Sequence, residues 1–270
     1  MDCVCFNEKF LSASEALFTG QNRGFRYGDG VFETMKVYQS KILLEQFHFD
    51  RLFLSLKMLQ IKHSFVASNL SEHILELCDK NNCSDLARVR LAVFRNGENK
   101  TEFVIEAVSL SKEAIQWNKK GLTIDIYPYA RKSADAFSNL KTANFLPYIL
   151  AEIFAKEKGL DDAIVLNAFN NLADSSKANI FLIKQNEIFT PALHQGCIGG
   201  VMRRLLLDEL RKNSYRVHQQ EITEQEVLDA DEVFLTNSIF DLRWVEEFKD
   251  KVYTSEQSFS IYQKIIRPLY

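Results

Sequence analysis

Four short segments of this 270-residue chain hold residue types that could bind a small molecule or carry out chemistry. The sequence GGVMR at 199–203 places a glycine pair at a predicted helix start, where free N–H groups and the helix dipole suit a phosphate. RYGDG at 26–30 predicts a tight turn just before a strand, because two glycines flank an aspartate. Arg51 offers a guanidinium on a predicted helix, and Lys141 offers an amine within NLKTAN.

Taken singly, each of these segments also has an ordinary structural interpretation. The glycine pair can simply begin a helix, and RYGDG can be a plain loop. Arg51 alone would be a solvated charge on the polar side of its helix, and Lys141 is one lysine among many. Residue types alone therefore leave all four assignments open.

The elements that must position these residues begin with an α+β unit of hairpins that has two helices on one side. A polar stretch at 39–41 between two strand-like runs predicts a hairpin. Apolar residues at helical spacing predict an amphipathic helix over 48–61, which carries Arg51, and a second helix over 70–79 with Ser71 as its N-cap. Two alternating runs, 86–94 and 102–108, predict antiparallel strands joined through Arg95-Asn96-Gly97.

The polar segment 111–121, SKEAIQWNKKG, separates two blocks of strands and is the best candidate linker. We therefore predict a small N-terminal domain over 1–114 and a larger domain over 115–270 that carries Lys141. In the larger domain we expect helices at 147–158 and 201–213, with Gly159 ending the first, and strands at 122–127, 163–166, 180–183, 188–190 and 232–235. Neither GxGxxG nor GxxxxGK occurs, so a dinucleotide fold or P-loop is unsupported.

Composition restricts the function classes. Apolar residues make up 46% and charged residues 26% of the chain, with 10 glycines and 4 prolines, which excludes collagen-like and low-complexity proteins. A net charge of −3 argues against a dedicated nucleic-acid binder, because such proteins need a basic face.

The N-terminus and the cysteines suggest a compartment. The chain opens without a basic-then-apolar signal, has no apolar run of 18 residues, and carries five scattered cysteines, so we expect a cytoplasmic protein without a membrane span or disulfide framework. No paired CxxC or HxxxH accompanies Cys3-Val4-Cys5, so we expect no metal there and an N-terminal strand instead.

In their order and at these distances, the four segments resemble the class IV aminotransferases, which are the fold-type IV pyridoxal-phosphate enzymes. That family includes branched-chain aminotransferases, D-amino-acid aminotransferases and 4-amino-4-deoxychorismate lyase. The matching stretches, from about Arg26 to about Val245, are RYGDGVFETMKVYQSKILLEQFHFDRL, LKTAN, KGLDDAIVLNAFNNLADSSKANIFLI, TPALHQGCIGGVMRR and EVFLTNSIFDLRWV. The resemblance implies a two-domain α+β fold of the D-amino-acid aminotransferase type, with a larger, barrel-like C-terminal domain, and pyridoxal 5'-phosphate (PLP) as cofactor.

The resemblance also implies roles for individual residues. Lys141 matches the Schiff-base lysine, which also moves the substrate α-proton, and Arg51 matches the arginine on the cofactor phosphate. Asp174 falls where the family has a glutamate against the pyridine nitrogen, and Ser238 matches a hydroxyl that contacts phosphate and substrate. Further phosphate contacts are expected from the backbone of Gly200, Val201 and Met202. Substrate contacts are expected from Tyr27, Glu33, Arg95, Asn237 and Ile239.

Three departures from the family pattern matter. Asp174 is one methylene shorter than the usual glutamate, so the ring contact must lengthen or the backbone must move closer. Met202 replaces a threonine whose hydroxyl contacts the phosphate in many transaminases. The hairpin tip at 94–100 lacks the Arg-x-His pair that resembles the carboxylate trap of D-amino-acid aminotransferases.

The reaction has three candidate assignments. The spacing from Lys141 to Asn144, with Phe145 following directly, resembles the D-amino-acid aminotransferase and lyase branch, and Met202 also occurs in the lyases. Most family members are transaminases, so we expect first an aminotransferase acting on an amino acid, branched-chain or similar, and a 2-oxo acid. The alternatives are an aminodeoxychorismate lyase, which releases pyruvate and 4-aminobenzoate, and a PLP-binding member without turnover. The resemblance implies a homodimer with small-molecule substrates and neither nucleic-acid nor membrane partners.

Overall fold

The computed structural model describes residues 2–15, 17–96 and 100–270. Residue contacts divide the chain into one unit of Met1–Ala114 with Leu140–Asn144 and another of Ile115–Asn139 with Phe145–Tyr270. The end of the predicted Arg95-Asn96-Gly97 connection, and positions 97–99 of the hairpin tip, lie outside the described residues. Within those ranges no helix is long and apolar enough to cross a membrane, and the cysteines form no disulfide.

The first unit is an antiparallel sheet covered on one face by two helices. Its elements are β1 (Cys3–Phe6), β2 (Lys9–Ser12), α1 (Arg23–Tyr27), β3 (Gly30–Tyr38), β4 (Lys41–Ile42), α2 (Glu45–Met58), α3 (Ala67–Lys80), β5 (Leu86–Arg95) and β6 (Thr101–Ser109). The strand order among the described residues is β2-β1-β6-β5-β3-β4. Alternate residues of β3, β5 and β6 point toward the helices, which confirms the predicted hairpins with two helices on one side.

The core of this unit fixes the helices that carry the site. Leu52 and Leu56 of α2 and Ile74 of α3 are fully buried against the sheet. Burying such a side chain contributes about 1.5–3 kcal/mol each. The helix α2 begins at Glu45, three residues before the predicted start, so Arg51 sits in its second turn.

The predicted N-cap at Ser71 is wrong. The helix α3 begins at Ala67, after Val66 in an extended conformation, so Ser71 lies inside the helix. Its hydroxyl donates to the carbonyl of Ala67 at 3.0 Å, the usual use of a serine one turn into a helix.

A short segment from beyond the linker completes the first unit. Thr142 forms an antiparallel bridge with Val31 of β3, and two backbone hydrogen bonds flank it, Phe32 N to Lys141 O at 3.0 Å and Ala143 N to Gly30 O at 2.9 Å. Lys141, which the sequence placed in the larger domain, therefore packs with the first unit.

The second unit is a curled, mixed sheet with helices around it. Its elements are β7 (Leu122–Ile126), α4 (Leu146–Lys158), β8 (Asp162–Leu166), β9 (Leu172–Ser175), β10 (Asn179–Lys184), β11 (Glu187–Pro191), α5 (Val201–Lys212), β12 (Val217–Gln220), α6 (Glu224–Leu228), β13 (Glu232–Asn237), β14 (Asp241–Phe248), β15 (Lys251–Val252) and α7 (Glu256–Ile261). The order is β12-β11-β10-β13-β14-β7-β8-β9, with β15 on β14, and the sheet curls into a half-barrel so that β9 also contacts β10.

Both faces of β8, which lies between β7 and β9 in this sheet, are buried. Alternate residues of β8 point to opposite sides: Ile164 and Leu166 enter the core inside the curl, while Ala163 and Val165 pack against α4. The helix α4 ends at Gly159 as predicted, because its φ of 70° is a left-handed conformation that glycine adopts without strain.

Candidate active site

In the first unit, Lys141 lies beside β3 with its amine over an aromatic ring. The Nζ atom is 4.2 Å from the centroid of the Phe32 ring. The guanidinium carbon of Arg90, on the neighbouring strand β5, is 3.9 Å from the same centroid. Two cations thus share one buried ring, an arrangement in which the negative face of the ring offsets part of their repulsion.

A buried charge cluster lies one residue further along β3. Glu33 is 1% exposed, and its Oε1 and Oε2 accept hydrogen bonds from Arg51 Nε at 2.8 Å and Nη2 at 2.5 Å. His48, one helical turn before Arg51, contacts Glu33 Oε2 through Nδ1 at 2.6 Å. The HxxR spacing on α2 therefore aims both side chains at one carboxylate.

Burial and the neighbouring charges determine the protonation states of Glu33 and His48. Burial alone would raise the pKa of Glu33, but the charge and hydrogen bonds of Arg51, then of His48, lower it to about 2. Burial lowers the pKa of His48, and the nearby cations Arg51 and Lys141 add to this against the attraction of Glu33. A neutral His48 must then donate through Nδ1, which leaves the buried Nε2 without a hydrogen-bond partner in the described residues.

On the sheet face that carries Phe32, a cleft of about 260 Å³ is lined by Thr34, Arg88, Arg90, Glu106 and Val108. Arg90 makes a loose ion pair with Glu106, with Nε and Oε2 3.7 Å apart. Burial lowers the pKa of Arg90, although a guanidinium stays charged. The sequence analysis missed these arginines; the signal was their alternation in RVRL, which puts both on the sheet face opposite the core.

Arg95, one of the residues predicted to contact substrate, pairs with other residues of the first unit. Arg95 forms a forked pair with Asp29, with bonds of 2.9–3.1 Å, and its terminal nitrogens donate to the carbonyls of Leu59 and Gln60 just after α2. Tyr27 is 60% exposed at the end of α1. Arg95 therefore ties the RYGDG turn to the end of the helix that carries Arg51.

In the second unit, Asp174 on β9 is almost fully buried and accepts four hydrogen bonds. Its Oδ2 accepts from the Tyr148 hydroxyl at 2.7 Å, the Ile198 N–H at 2.9 Å and the Lys132 amine at 3.3 Å. Its Oδ1 accepts only from Asn179 Nδ2, at 2.7 Å, among the described residues. A carboxylate oxygen has two lone pairs, so Oδ1 can accept one more hydrogen bond.

The turn that follows Asp174 is held by a second buried acid. Asp162 accepts hydrogen bonds from the hydroxyls of Ser175 and Ser176 at 2.7 and 2.6 Å, and from the Ser176 N–H at 3.0 Å. Burial raises the pKa of Asp162, against the lowering effect of the two serines. This turn leads into β10, which begins at Asn179.

The start of α5 presents backbone donors. Gly200 is the N-cap, no side chain caps the helix, and the N–H groups of Val201 and Met202 have no acceptor in the described residues. Asn179 Nδ2 also donates to the Ile198 carbonyl at 2.8 Å, so one amide joins Asp174 to the segment that leads into α5. The hydroxyl of Thr236, the cross-strand neighbour of Asn179, is buried without a partner.

The remaining predicted residues form a tight turn between β13 and β14. Asn237 Oδ1 accepts hydrogen bonds from the Ile239 and Phe240 N–H groups at 2.9 and 2.8 Å. Ser238 occupies the tip of this turn and is partly exposed, while Ile239 is buried. The Asn237 side chain thus shapes the loop that presents the Ser238 hydroxyl.

Comparison with known proteins identifies the family. A family model described as amino-transferase class IV matches residues 30–248, and this chain therefore belongs to the class IV aminotransferase family. It is an enzyme of the class IV aminotransferase family by sequence and fold.

Different relatives are named for different activities. The chain is 27% identical over 253 residues to an aminodeoxychorismate lyase of Bacillus subtilis, covering 88% of this chain and 84% of that protein. It is 26% identical over 272 residues to a provisionally named branched-chain-amino-acid aminotransferase of Methanocaldococcus jannaschii, covering 97% and 93%. The crystal structure of the branched-chain aminotransferase of Thermoproteus uzoniensis with norvaline has a TM-score of 0.89 at 21% identity, covering 99% and 94%, which confirms the two-domain fold.

Class IV aminotransferases are PLP-dependent, and the second unit has polar groups that could contact such a cofactor. Open amides at Val201 and Met202 suit a phosphate, and the second lone pair of Asp174 Oδ1 suits a ring N–H. The orphaned Thr236 hydroxyl is a further buried polar atom that a polar ligand would satisfy. No group of three or more His, Cys, Asp or Glu within the described ranges could hold a metal ion.

Proposed function

We propose that this protein is a PLP-dependent aminotransferase that moves an amino group between an amino acid, branched-chain or similar, and a 2-oxo acid. The observation that carries the proposal is the amine of Lys141 beside Phe32 and Arg90, in the segment that the family resemblance assigns to cofactor attachment. PLP, when bound, supplies an electron sink for the electrons left by loss of the substrate α-proton.

Lys141 would hold the cofactor covalently and carry the proton between the substrate α-carbon and the cofactor. The amine attacks a carbonyl only in its unprotonated form, and the guanidinium of Arg90 on the same ring opposes a second positive charge there. This role requires no other base among the residues around Lys141.

Arg51 would bind the cofactor phosphate, with Glu33 as the residue that orients it. Two of the guanidinium nitrogens face Glu33, which fixes the plane of the fork. Glu33, first expected to touch substrate, is too deeply buried in this pairing to be proposed as more than a positioning residue.

The second unit would contribute phosphate and ring contacts. We assign the phosphate to the amides of Val201 and Met202 beside Gly200, and to the hydroxyl of Ser238. Asp174 would accept the ring N–H through Oδ1.

For the substrate we propose that Arg90 receives a carboxylate. A guanidinium in a cleft of about 260 Å³, on the same ring as the Lys141 amine, has the charge and position for it. Tyr27, Asn237 and Ile239 remain predicted substrate neighbours, whereas the fork of Arg95 already serves Asp29.

Aminodeoxychorismate lyase is the second candidate. Met202 at the start of α5 and Phe145 directly after Asn144 favour it, and the Bacillus subtilis relative carries that activity in its name. Both reactions begin with loss of the same α-proton, so the residues assigned above would serve either one.

We also propose a homodimer. Four apolar residues at helical spacing on α4 are 38–65% exposed, and they form a continuous stripe: Leu146, Ile149, Leu150 and Ile153. An exposed apolar stripe of this kind suits burial against a second copy.

Purified protein reconstituted with PLP should be tested on three substrate sets: L-amino acids and D-amino acids with 2-oxoglutarate, and aminodeoxychorismate. Glutamate formation identifies the transaminase and its stereochemistry, and 4-aminobenzoate with pyruvate identifies the lyase. Absence of any product together with tight PLP binding would contradict both enzymes and identify a binding protein.

A further inference from the structure

The carboxylate proposed to face the cofactor ring is already paired with a cation of this chain. Lys132 precedes Lys141 by nine residues, is 8% exposed, and places its Nζ 3.3 Å from Asp174 Oδ2. This is the only hydrogen bond that Lys132 Nζ makes in the described residues. Its Nζ also lies 5.0 Å from the centroid of the Tyr148 ring, whose hydroxyl bonds the same oxygen.

The donors are divided unevenly between the two oxygens. Three of them, including the only charged one, converge on Oδ2, and one neutral amide reaches Oδ1. We call Oδ2, with its three donors, the closed oxygen, and Oδ1, which can accept one more hydrogen bond, the open oxygen. The Lys132 ammonium lies at the closed oxygen. Aspartate, with one rotatable bond fewer than glutamate, cannot turn the closed oxygen forward without breaking three hydrogen bonds.

We propose that Lys132 is a positioning residue that holds Asp174 with Oδ1 open and, by partly neutralising the carboxylate, lowers the proton affinity of the cofactor ring nitrogen. This proposal rests on the proposed PLP function. A proton on the ring nitrogen is stabilised by the negative charge of Asp174 and opposed by the positive charge of Lys132. The protein would in this way set how readily the ring accepts electrons.

The other groups that face Asp174 do not change their charge near physiological pH. Burial and then the Asp174 charge raise the pKa of Tyr148 well above its usual range. Burial, then Asp174, raises the pKa of Cys197 to about 12, so both groups are neutral at physiological pH. Arg203 of α5 is the other nearby cation; its Nη2 donates to Pro191 O and Gln219 Oε1 at 2.9 Å, and its pKa is lowered by burial while it stays charged.

The test uses the full-length protein loaded with PLP that carries ¹⁵N at the ring nitrogen. The ¹⁵N chemical shift, which differs strongly between a protonated and an unprotonated pyridine, is followed against pH. In Lys132→Met, which keeps the length of the side chain without its charge, we expect the midpoint of ring protonation to rise by about one pH unit, a tenfold gain in proton affinity. Lys132→Arg should restore the wild-type midpoint.

Tyr148→Phe is the matched control, because it removes a neutral donor from the same oxygen and leaves all charges unchanged. Its midpoint should move much less than that of Lys132→Met. A wild-type midpoint in Lys132→Met would overturn the proposal while PLP binding still stands, and failure of the wild-type protein to bind PLP would overturn the proposed function itself. If Lys132→Met does not fold, as shown by urea unfolding, Lys132→Gln takes its place with the same expected shift.

Discussion

Gly200 lies so close to Asn179 that a Cβ added to Gly200 would be 1.9 Å from the Asn179 Oδ1 atom. The Asn179 amide cannot easily retreat, because its Nδ2 is bound to both Asp174 and the Ile198 carbonyl. The start of α5 and the Asp174 carboxylate are thus held together through one side chain.

Gly200→Ala should therefore disturb both the proposed phosphate contacts at the start of α5 and the proposed ring contact of Asp174. We expect the Kd for PLP to rise at least about tenfold and the free energy of unfolding to fall by about 1–3 kcal/mol, as for other overpacked positions. Cofactor titration and urea unfolding measure the two effects. Gly199→Ala is the matched control, since its Cβ would meet its nearest neighbour at an ordinary 3.6 Å.

Lys141→Ala should abolish turnover and the visible absorbance of the bound cofactor while the protein still folds. The side chain packs on the Phe32 ring, and its backbone hydrogen bonds to β3 do not depend on the residue type. Mass spectrometry after borohydride treatment should show the cofactor attached to the wild-type protein and to Lys119→Ala, but not to Lys141→Ala. Near wild-type turnover in Lys141→Ala would refute the assignment.

Arg51→Ala should weaken cofactor binding more than it lowers the rate at saturating PLP. The phosphate is remote from the bonds that change, so its contacts stabilise the ground state and the transition state equally. A charge-assisted hydrogen bond of this kind contributes about 1.5–3 kcal/mol. The variant should also lose about 3–5 kcal/mol of stability, because Glu33 stays buried without its cation. Arg211→Ala, at an exposed position of α5, should change neither quantity.

Acid should destabilise the protein in a window set by Glu33. Its pKa in the folded protein is about 2 against an ordinary 4.5, so its contribution is complete above pH 4.5 and is lost as the pH falls toward 2. Such a difference is worth about 3 kcal/mol for a fully buried carboxyl. Urea unfolding at pH 5, 4 and 3 should show this loss of unfolding free energy in the wild type and a smaller loss in Glu33→Gln. Equal losses in the two proteins would contradict the prediction.

Asp174→Asn should slow removal of the substrate α-proton by about 100-fold or more, since an amide cannot hold a proton on the ring nitrogen by charge. Single-turnover decay of the visible band on addition of substrate gives the rate. Asp174→Glu restores the residue typical of the family and should be tolerated better. A wild-type rate in Asp174→Asn would show that another group serves the ring nitrogen.

Local periodicity predicted most of the elements but not those whose pattern is interrupted. The strand β14 was missed because its alternation breaks at a bulge between Val245 and Glu247. The strand β9 was missed because its four residues are buried on both faces and show no alternation.

The site was predictable where a motif carries it and not where distant residues meet. Lys141, Arg51 and Asp174 lie in matched segments, whereas Lys132 pairs with Asp174 across 42 positions and no local pattern announces it. Arg95 likewise pairs with Asp29, which lies 66 positions earlier, and no local pattern indicates that pair. Contacts of this kind are decided by the sheet registers and not by spacing along the chain.

The bridge between Val31 and Thr142 has a consequence for biosynthesis. The ribosome must make residues 122–143, beyond the linker, before the edge of β3 at Gly30–Phe32 finds its hydrogen-bond partner. Until then a nascent chain, or a recombinant fragment ending at residue 114, exposes the backbone groups of that edge and would tend to pair with other chains. Expression of the first unit by itself therefore needs the 140–144 segment, supplied by fusion or as a peptide, to avoid aggregation.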